Sequence, residues 1–112
     1  MKIRNNNPLD LEGNDGETIT VTVTAFGTNL LGNYNLDGVS AKLNPSGSFS
    51  FTLNKAANNP SLLTMFLIFT NSSGGVYQVD LSGSAGGHAQ HTSTQVTGGF
   101  GASSFTFTID IV

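Results

Sequence analysis

The chain has 112 residues, of which 38% are hydrophobic and only 10% are charged, and its formal net charge is −3. This length is enough for one domain with a single core. Four basic residues cannot supply the cationic track that phosphate contacts require, so we expect no nucleic-acid partner. The absence of cysteine excludes disulfides, zinc–thiolate sites and thiol nucleophiles.

We expect no targeting signal at the start of this sequence. It begins with MKIRNNNP, which lacks the apolar stretch of about 7 to 15 residues that a secretory signal needs. The longest apolar run, at residues 62–69, is much shorter than the roughly 20 residues that cross a bilayer. We therefore expect no signal peptide and no membrane insertion in this chain, and its localisation stays open.

The clearest predicted strand covers residues 17–26. Its isoleucine, valine and alanine residues alternate with threonines, which is the period-2 pattern of a strand with one buried face. The C-terminal residues 104–112 repeat this pattern. The side chains predicted to face the core there are Phe105, Phe107, Ile109 and Ile111. Both segments are rich in the β-branched and aromatic residues that suit a pleated, half-buried surface.

A hairpin is predicted at residues 39–53, where two alternating segments flank the sequence Asn-Pro-Ser-Gly at 44–47. That sequence suits a type I turn, because proline presets φ and glycine closes the turn. Just before the hairpin, Asp37 and Gly38 form a dipeptide that tolerates positive φ. This dipeptide indicates a further turn or a bulge.

A second hairpin is predicted between residues 62–70 and 76–82. The first segment is almost wholly apolar, which favours a central strand buried on both faces over a short core helix. In the second segment Tyr77, Val79 and Leu81 share one face. These two segments would then lie side by side in one sheet.

Glycine, serine and threonine dominate residues 83–103, where we expect a polar loop and at most one weak strand around 91–97. A second polar loop is expected at residues 27–35. Short strands separated by turns roughly every 8 to 12 residues are typical of a sandwich. The sequence therefore predicts one all-β domain over residues 1–112, an antiparallel β-sandwich or jelly roll of about seven or eight strands.

The acidic residues indicate a candidate metal site, because four of the seven lie within residues 10–17. Calcium takes about six to eight oxygen ligands, and a flexible loop containing glycine can supply them from carboxylates, amides and carbonyl groups. The spacing is not that of an EF-hand, and the alternative is a polar turn whose charges stay solvated. If calcium is a cofactor, its candidate ligands are Asp10, Glu12, Asn14, Asp15 and Glu17.

A second candidate site lies in residues 83–103. Its two histidines are three residues apart, but the sequence nearby supplies no third ligand for a zinc site. Phe100, flanked by glycines, could present its ring to a sugar while neighbouring polar groups bind the hydroxyls; the alternative is that it plugs the end of the sandwich. The candidate ligand-binding residues are His88, Gln90, His91, Gln95 and Phe100.

The favoured function is a non-catalytic, lectin-like binding module for carbohydrate, because polar loops on a rigid β-scaffold are common recognition sites. The alternative is a self-assembling subunit of a fibre, shell or coat, because residues 17–26 and 104–112 carry almost no charge and would pair with another chain at a sheet edge. Both hypotheses predict a homo-oligomer, with carbohydrate or another protein as partner. The sequence shows no convergent set of acid, base and nucleophile, and it contains no Gly-x-Ser-x-Gly motif. We therefore do not expect an enzyme.

Overall fold

Two facing β-sheets make up the computed structural model, which describes residues 1–26, 29–43, 47–70, 76–92 and 100–112. The strands are β1 (Lys2–Arg4), β2 (Asn7–Gly13), β3 (Thr18–Phe26), β4 (Asn29–Leu36), β5 (Val39–Lys42), β6 (Ser48–Thr52), β7 (Ser61–Thr70), β8 (Val76–Gly83), β9 (His88–Thr92) and β10 (Phe100–Ile111). Sheet A has the strand order β1-β2-β10-β7-β4-β5, and sheet B has the order β6-β3-β8-β9. The predicted all-β sandwich is confirmed. Within the described residues, no helix is long and apolar enough to span a membrane.

The described chain contains ten strands rather than seven or eight, because its N-terminal residues form β1 and β2. These two strands are joined by a turn in which Asn5 and Asn6 have positive φ values of 53° and 54°. No strand is predicted there from the sequence, because most residues of this segment are polar and show no clear apolar alternation. In the structure one face of β2 nevertheless packs inward, and Leu11 on that face is fully buried. β2 pairs with β10 in parallel, whereas the other paired strands are antiparallel.

The core lies between the sheets and consists of the alternating residues that the sequence predicts. On β3, Ile19, Val21 and Val23 are buried, and the threonines between them face outward. On β10, Phe107, Ile109 and Ile111 are buried, and Phe105 packs against them. On β8, the buried residues are Tyr77, Val79 and Leu81. Burial of each large apolar side chain contributes roughly 1.5–3 kcal/mol, so the alternation on these strands determines which side of each sheet faces inward.

Both predicted long hairpins are wrong, because their strands lie in different sheets. β5 pairs with β4 in sheet A, whereas β6 pairs with β3 in sheet B. In the same way β7 belongs to sheet A and β8 to sheet B. Residues 44–46 and 71–75, where the turns are predicted, lie outside the described residues. Alternation shows that a strand has one buried face, but it does not show which sheet the strand joins.

The predicted turn at Asp37 and Gly38 is confirmed. It joins β4 to β5, with φ values of 51° and 90° and with Leu36 opposite Val39. Two successive residues with positive φ are typical of the tight hairpin turns that match strand twist. The Asp37 carboxylate also accepts a hydrogen bond from the Ser61 hydroxyl at 2.8 Å, which ties this turn to the start of β7.

β7 is a central strand, as predicted, but it is buried on one face only. It lies between β10 and β4, and its inner residues Leu63, Met65 and Leu67 are at most 1% exposed. Its outer face carries three large apolar side chains that solvent reaches. Their exposed fractions are 44% for Leu62, 46% for Phe66 and 40% for Ile68.

Of the two low-charge strands, β3 lies between β6 and β8. β10 pairs with β7 from Phe100 to Ile109 but with β2 only from Thr108 to Ile111. The edge strands are β1, β5, β6 and β9, which are three to five residues long. Short edge strands resist pairing with other chains. In the described structure one side of β10 has no paired strand over residues 100–107, so the self-assembly hypothesis stays a prediction.

A buried carboxylate joins three separate segments at one end of the sandwich. Glu17 is 4% exposed and accepts hydrogen bonds from the Met1 ammonium at 2.9 and 3.2 Å. It also accepts hydrogen bonds from the backbone N–H groups of Asn14 at 3.0 Å and Ala85 at 3.3 Å. Burial raises the pKa of Glu17, but the hydrogen bonds and the nearby ammonium outweigh this effect and hold the pKa below 4.5.

We predict that Glu17→Gln destabilises the fold by about 3 kcal/mol at pH 7, because it leaves the buried Met1 ammonium without its counter-charge. A carboxylate whose pKa is lowered by folding contributes stability above its unfolded pKa and loses that stability as the pH falls through its folded pKa. The variant should therefore lose less stability than the wild type between pH 6 and pH 3. Urea unfolding followed by circular dichroism at several pH values measures both effects.

The matched control is Glu12→Gln, which removes a carboxylate whose partner, the Lys2 ammonium 3.4 Å away, is mostly exposed. Exposed ion pairs contribute about 0–1 kcal/mol, so this variant should unfold nearly as the wild type does. Equal losses of stability in the two variants would contradict the role assigned to Glu17.

Candidate ligand-binding face

Apart from Val76 at the start of β8, the described side chains on the outer face of sheet B are polar, and they form a surface called here the polar face. It is built from every second residue of the four strands, because the residues between them point into the core. Its members are Thr18, Thr20, Thr22, Thr24, Ser48, Ser50, Thr52, Gln78, Asp80, Ser82, His88, Gln90 and Thr92. The predicted alternation of β3 thus places a row of hydroxyl groups on the outer face of a central strand of sheet B.

The strand register aligns these side chains in rows across the sheet. Thr22 lies opposite Ser48 on one side and opposite Asp80 on the other, and Asp80 lies opposite Gln90. Directly opposed side chains on one face are about 4.5–5.5 Å apart at Cβ, close enough for one ligand to contact neighbours in a row. The row with Asp80 therefore runs across all four strands.

Three side chains on the polar face form a hydrogen-bonded cluster, the Asp80 cluster, which comprises Asp80, His88 and Gln90. The Gln90 amide donates to Asp80 Oδ1 at 2.8 Å, and His88 Nε2 lies 3.2 Å from the same oxygen. The side chain of His88 is 60% exposed and that of Asp80 is 26% exposed. A shared carboxylate fixes the orientation of the imidazole and the amide while leaving both open to solvent.

His88 and Gln90 lie in strand β9, and the prediction that they lie in a loop is wrong. Ala89 between them is 1% exposed and packs in the core, which fixes the strand and directs its neighbours outward. The signal in the sequence is weak, because a single alanine is the only small apolar residue in the segment. The cluster also includes Asp80, which lies on the neighbouring strand β8 and is not among the candidates predicted from the sequence.

His91 lies on the opposite face of β9 from His88, since it is three positions further along the strand and successive side chains alternate between faces. Its ring packs against Phe105 with the two centroids 4.3 Å apart. Burial lowers the pKa of His91, because the charged imidazolium loses solvation at this site. The two imidazoles therefore do not meet, and His91 is partly buried on the inward side of β9 against Phe105.

The two remaining ligand-binding candidates are not placed on this face. Gln95 lies outside the described residues. Phe100 begins β10 opposite Thr70, and its side chain is not among those described. A role for either residue stays a prediction from the sequence.

The five calcium candidates do not converge. Asp10 and Glu12 lie in β2, not in a loop, and Glu17 points into the end of the sandwich. The other three carboxylates have separate partners. These are the Asn5 amide for Asp10, the Lys2 ammonium for Glu12 and the Lys55 backbone N–H for Asp15. Within the described residues, no three His, Asp or Glu side chains form a group that could hold a metal ion, so the calcium site stays a prediction.

The polar face carries a single carboxylate and, among its described residues, no ammonium or guanidinium group. The four basic residues of the chain lie elsewhere: Lys2 and Arg4 in β1, Lys42 in β5 and Lys55 after β6. A surface of hydroxyl, amide and imidazole groups can donate and accept hydrogen bonds with a neutral polar ligand. It offers no charge to attract a polyanion.

No protein family, curated protein or solved structure matches this chain. A functional inference must therefore come from the chemistry of the polar face. Asp80 and His88 form the carboxylate–imidazole pair that many hydrolases use, but a hydrolase also needs a nucleophile bonded to the imidazole. Within the described residues no hydroxyl group is hydrogen-bonded to either histidine.

We predict that protonation of His91 destabilises the fold in mild acid. An imidazole whose pKa is lowered by folding contributes stability above its unfolded pKa, about 6.5, and loses that stability as the pH falls through its folded pKa. His91→Phe keeps a ring against Phe105 and removes the titrating group. Its free energy of unfolding should therefore fall less between pH 7 and pH 5 than that of the wild type.

Thermal and urea unfolding at both pH values measure the difference. His88→Phe is the matched control, because it makes the same change at the exposed histidine, and it should keep the fall in stability seen for the wild type. A His91→Phe variant that loses as much stability as the wild type would assign the effect to another group.

Proposed function

We propose that this protein is a non-catalytic binding module for carbohydrate and that its ligand lies on the polar face. The observation that carries the proposal is the Asp80 cluster, set among the hydroxyl groups of a sheet face. Sugars present adjacent hydroxyl groups, each of which donates and accepts hydrogen bonds. A carboxylate accepts from two such hydroxyls, and an amide both accepts and donates.

The electrostatics of the face favour a neutral sugar over other ligand classes. Nucleic acids and phosphorylated ligands need cations to neutralise their charge, and the described residues of this face supply none. An apolar ligand would bury the face's hydroxyl, amide and carboxylate groups without partners, which costs free energy for each group. A neutral polyhydroxyl ligand avoids both penalties.

The scaffold beneath the cluster is rigid. Asp80 lies between the fully buried residues Val79 and Leu81, on a strand paired on both sides. Side chains held on strands above a packed core are positioned more accurately than side chains on loops. Less conformational entropy is then lost when the ligand binds.

An open sheet face buries only part of one sugar, so each single site should bind weakly. We expect dissociation constants of about 0.1–1 mM for short oligosaccharides, which corresponds to a binding free energy of roughly 4–5.5 kcal/mol. Higher apparent affinity would then require several sites to bind one polysaccharide or one sugar-coated surface.

The prediction is that a glycan array identifies a related set of neutral sugars and that Asp80→Asn weakens binding to them at least about 10-fold, since a hydrogen bond to a charged group contributes about 1.5–3 kcal/mol. Isothermal titration with the sugars that bind measures the loss. Asp10→Asn is the matched control, because it makes the same change of charge on sheet A, where the carboxylate accepts from Asn5. It should bind sugars as the wild type does.

Three outcomes would decide against this site. Equal binding by Asp80→Asn and the wild type would move the ligand off the polar face. Loss of binding after chelation would favour a calcium-dependent site near residues 10–17 instead. An array without any bound sugar would refute the carbohydrate assignment altogether.

A further inference from the structure

One long strand of sheet A has an open side. β10 pairs with β7 along residues 100–109, but β2 pairs with the other side of β10 only from Thr108 to Ile111. Within the described residues, no strand pairs with that side over residues 100–107. We call this stretch the β10 edge. It is at least as long as an ordinary strand, so it offers a complete position for one more strand in the sheet.

Alternate residues of β10 direct their backbone groups towards this open side. The side chain of Asn59, just before β7, accepts a hydrogen bond from the N–H of Ile111 at 3.0 Å and donates one to its C=O at 3.1 Å. The odd-numbered residues of β10 therefore point their backbone groups to β7, and the even-numbered residues point theirs to the open side. In the described structure no strand pairs with the N–H and C=O groups of Ala102, Ser104 and Thr106.

The core is also less well covered beside this edge. Ile109 points inward from β10 and is fully buried, with Leu11 of β2 beside it. Phe105 points inward as well, but it is only partly buried. Its ring contacts that of His91 on β9, which is partly buried too, with the centroids 4.3 Å apart. An apolar side chain on an added strand would cover Phe105 in the way that Leu11 lies beside Ile109.

We infer that the β10 edge binds an extended segment of a partner protein, which adds one strand to sheet A. The segment takes the line that β2 leaves beyond Thr108. Its backbone exchanges hydrogen bonds with Ala102, Ser104 and Thr106, and its side chains point alternately inward to Phe105 and outward to solvent. In this mode of recognition the backbone supplies affinity and the alternate side chains supply specificity.

The surroundings of the edge define the chemistry of that segment. Its inward-facing side chains should be apolar, because they meet the rings of Phe105 and His91. Its outward-facing side chains should be small or carry hydroxyl groups, because they continue the alanine, serine and threonine row of β10. Charged residues commonly protect exposed strand edges, but residues 100–107 include none. The edge therefore fits an uncharged segment in which apolar and hydroxyl side chains alternate.

A single strand fits this position better than a second copy of the whole domain. β9 of sheet B contacts β2, so sheet B extends beneath the line that the added strand would take. The contact between His91 and Phe105 keeps β9 beside the open stretch itself. A second sandwich joined edge to edge would bring its own sheet B against β9, whereas one extended segment leaves that sheet undisturbed.

Amide hydrogen exchange, measured by NMR on the whole chain, tests the edge and its occupant together. In the free protein the N–H groups of Ala102, Ser104 and Thr106 should exchange fast, whereas those of Ser103 and Phe105, which pair with β7, should be protected. The probe is the peptide Lys-Thr-Val-Thr-Val-Thr-Val-Thr-Lys, which at saturation should slow exchange of the first three groups at least about 10-fold. The same peptide with proline in place of each valine should change nothing, because it cannot pair as a strand.

A proline substitution in the protein tests the same contact from the other side. Ser104→Pro removes one of the open N–H groups and leaves the bonds to β7 intact, and proline is tolerated where the N–H of a strand faces solvent. It should weaken peptide binding, followed by fluorescence anisotropy, at least about 10-fold, because a carbonyl of the peptide loses its donor. Ser104→Ala keeps the N–H group and is the matched control. Circular dichroism checks folding, and Ala102→Pro replaces Ser104→Pro if that variant unfolds.

A wild type that does not bind the peptide, or a folded proline variant that binds it as the wild type does, would overturn the inference. Protection of the three N–H groups in the free protein would overturn it too, because the edge would already be paired. If the molecular mass then rose with concentration, the edge would belong to a second copy. Asp80→Asn should bind the peptide as the wild type does, so this inference and the proposed sugar binding can fail separately.

Discussion

The structure depends on one constraint, which is that every strand must bury one of its two faces in a core shared by both sheets. Side chains alternate along a strand, so the burial of Tyr77, Val79 and Leu81 also determines that Asp80 points to solvent. The same holds on β7, where burial of Met65 and Leu67 directs Phe66 outward. A shift of one residue in the register of either strand would exchange the two sets of side chains, and the apolar contacts of the core oppose that shift.

This constraint gives the molecule two outer faces with different chemistry. The polar face of sheet B is composed of hydroxyl groups around the Asp80 cluster, whereas sheet A presents the exposed side chains of Leu62, Phe66 and Ile68, called here the β7 ridge. Neither face is needed to hold the core together, so the residues on both are free to serve recognition. The polar face suits a hydrated ligand, because its groups remain hydrogen-bonded to water when no ligand is present, and the ridge suits a surface that excludes water.

The sequence predicts those parts of the fold that depend on local pattern. The alternation of β3 and β10 identifies their inner residues, and the Asp37–Gly38 turn follows from two residues that tolerate positive φ. The choice of sheet for each strand depends on pairing between distant segments, which explains why both long hairpins are wrong. His88 and Gln90 are chosen for the chemistry of their side chains, but their partner Asp80 comes from another strand. The Glu17 contacts with Met1 and Ala85 are equally non-local and leave no local pattern in the sequence.

The low charge of the chain links the chemistry of the two faces. With only 10% charged residues, the protein has few like charges to keep an apolar patch away from other molecules. Uncovered, the β7 ridge would promote indiscriminate association. A partner that covered the ridge would leave the hydroxyl-rich polar face as the main exposed surface. The face that excludes water would then keep the protein from aggregating, and the face that retains water would carry its recognition.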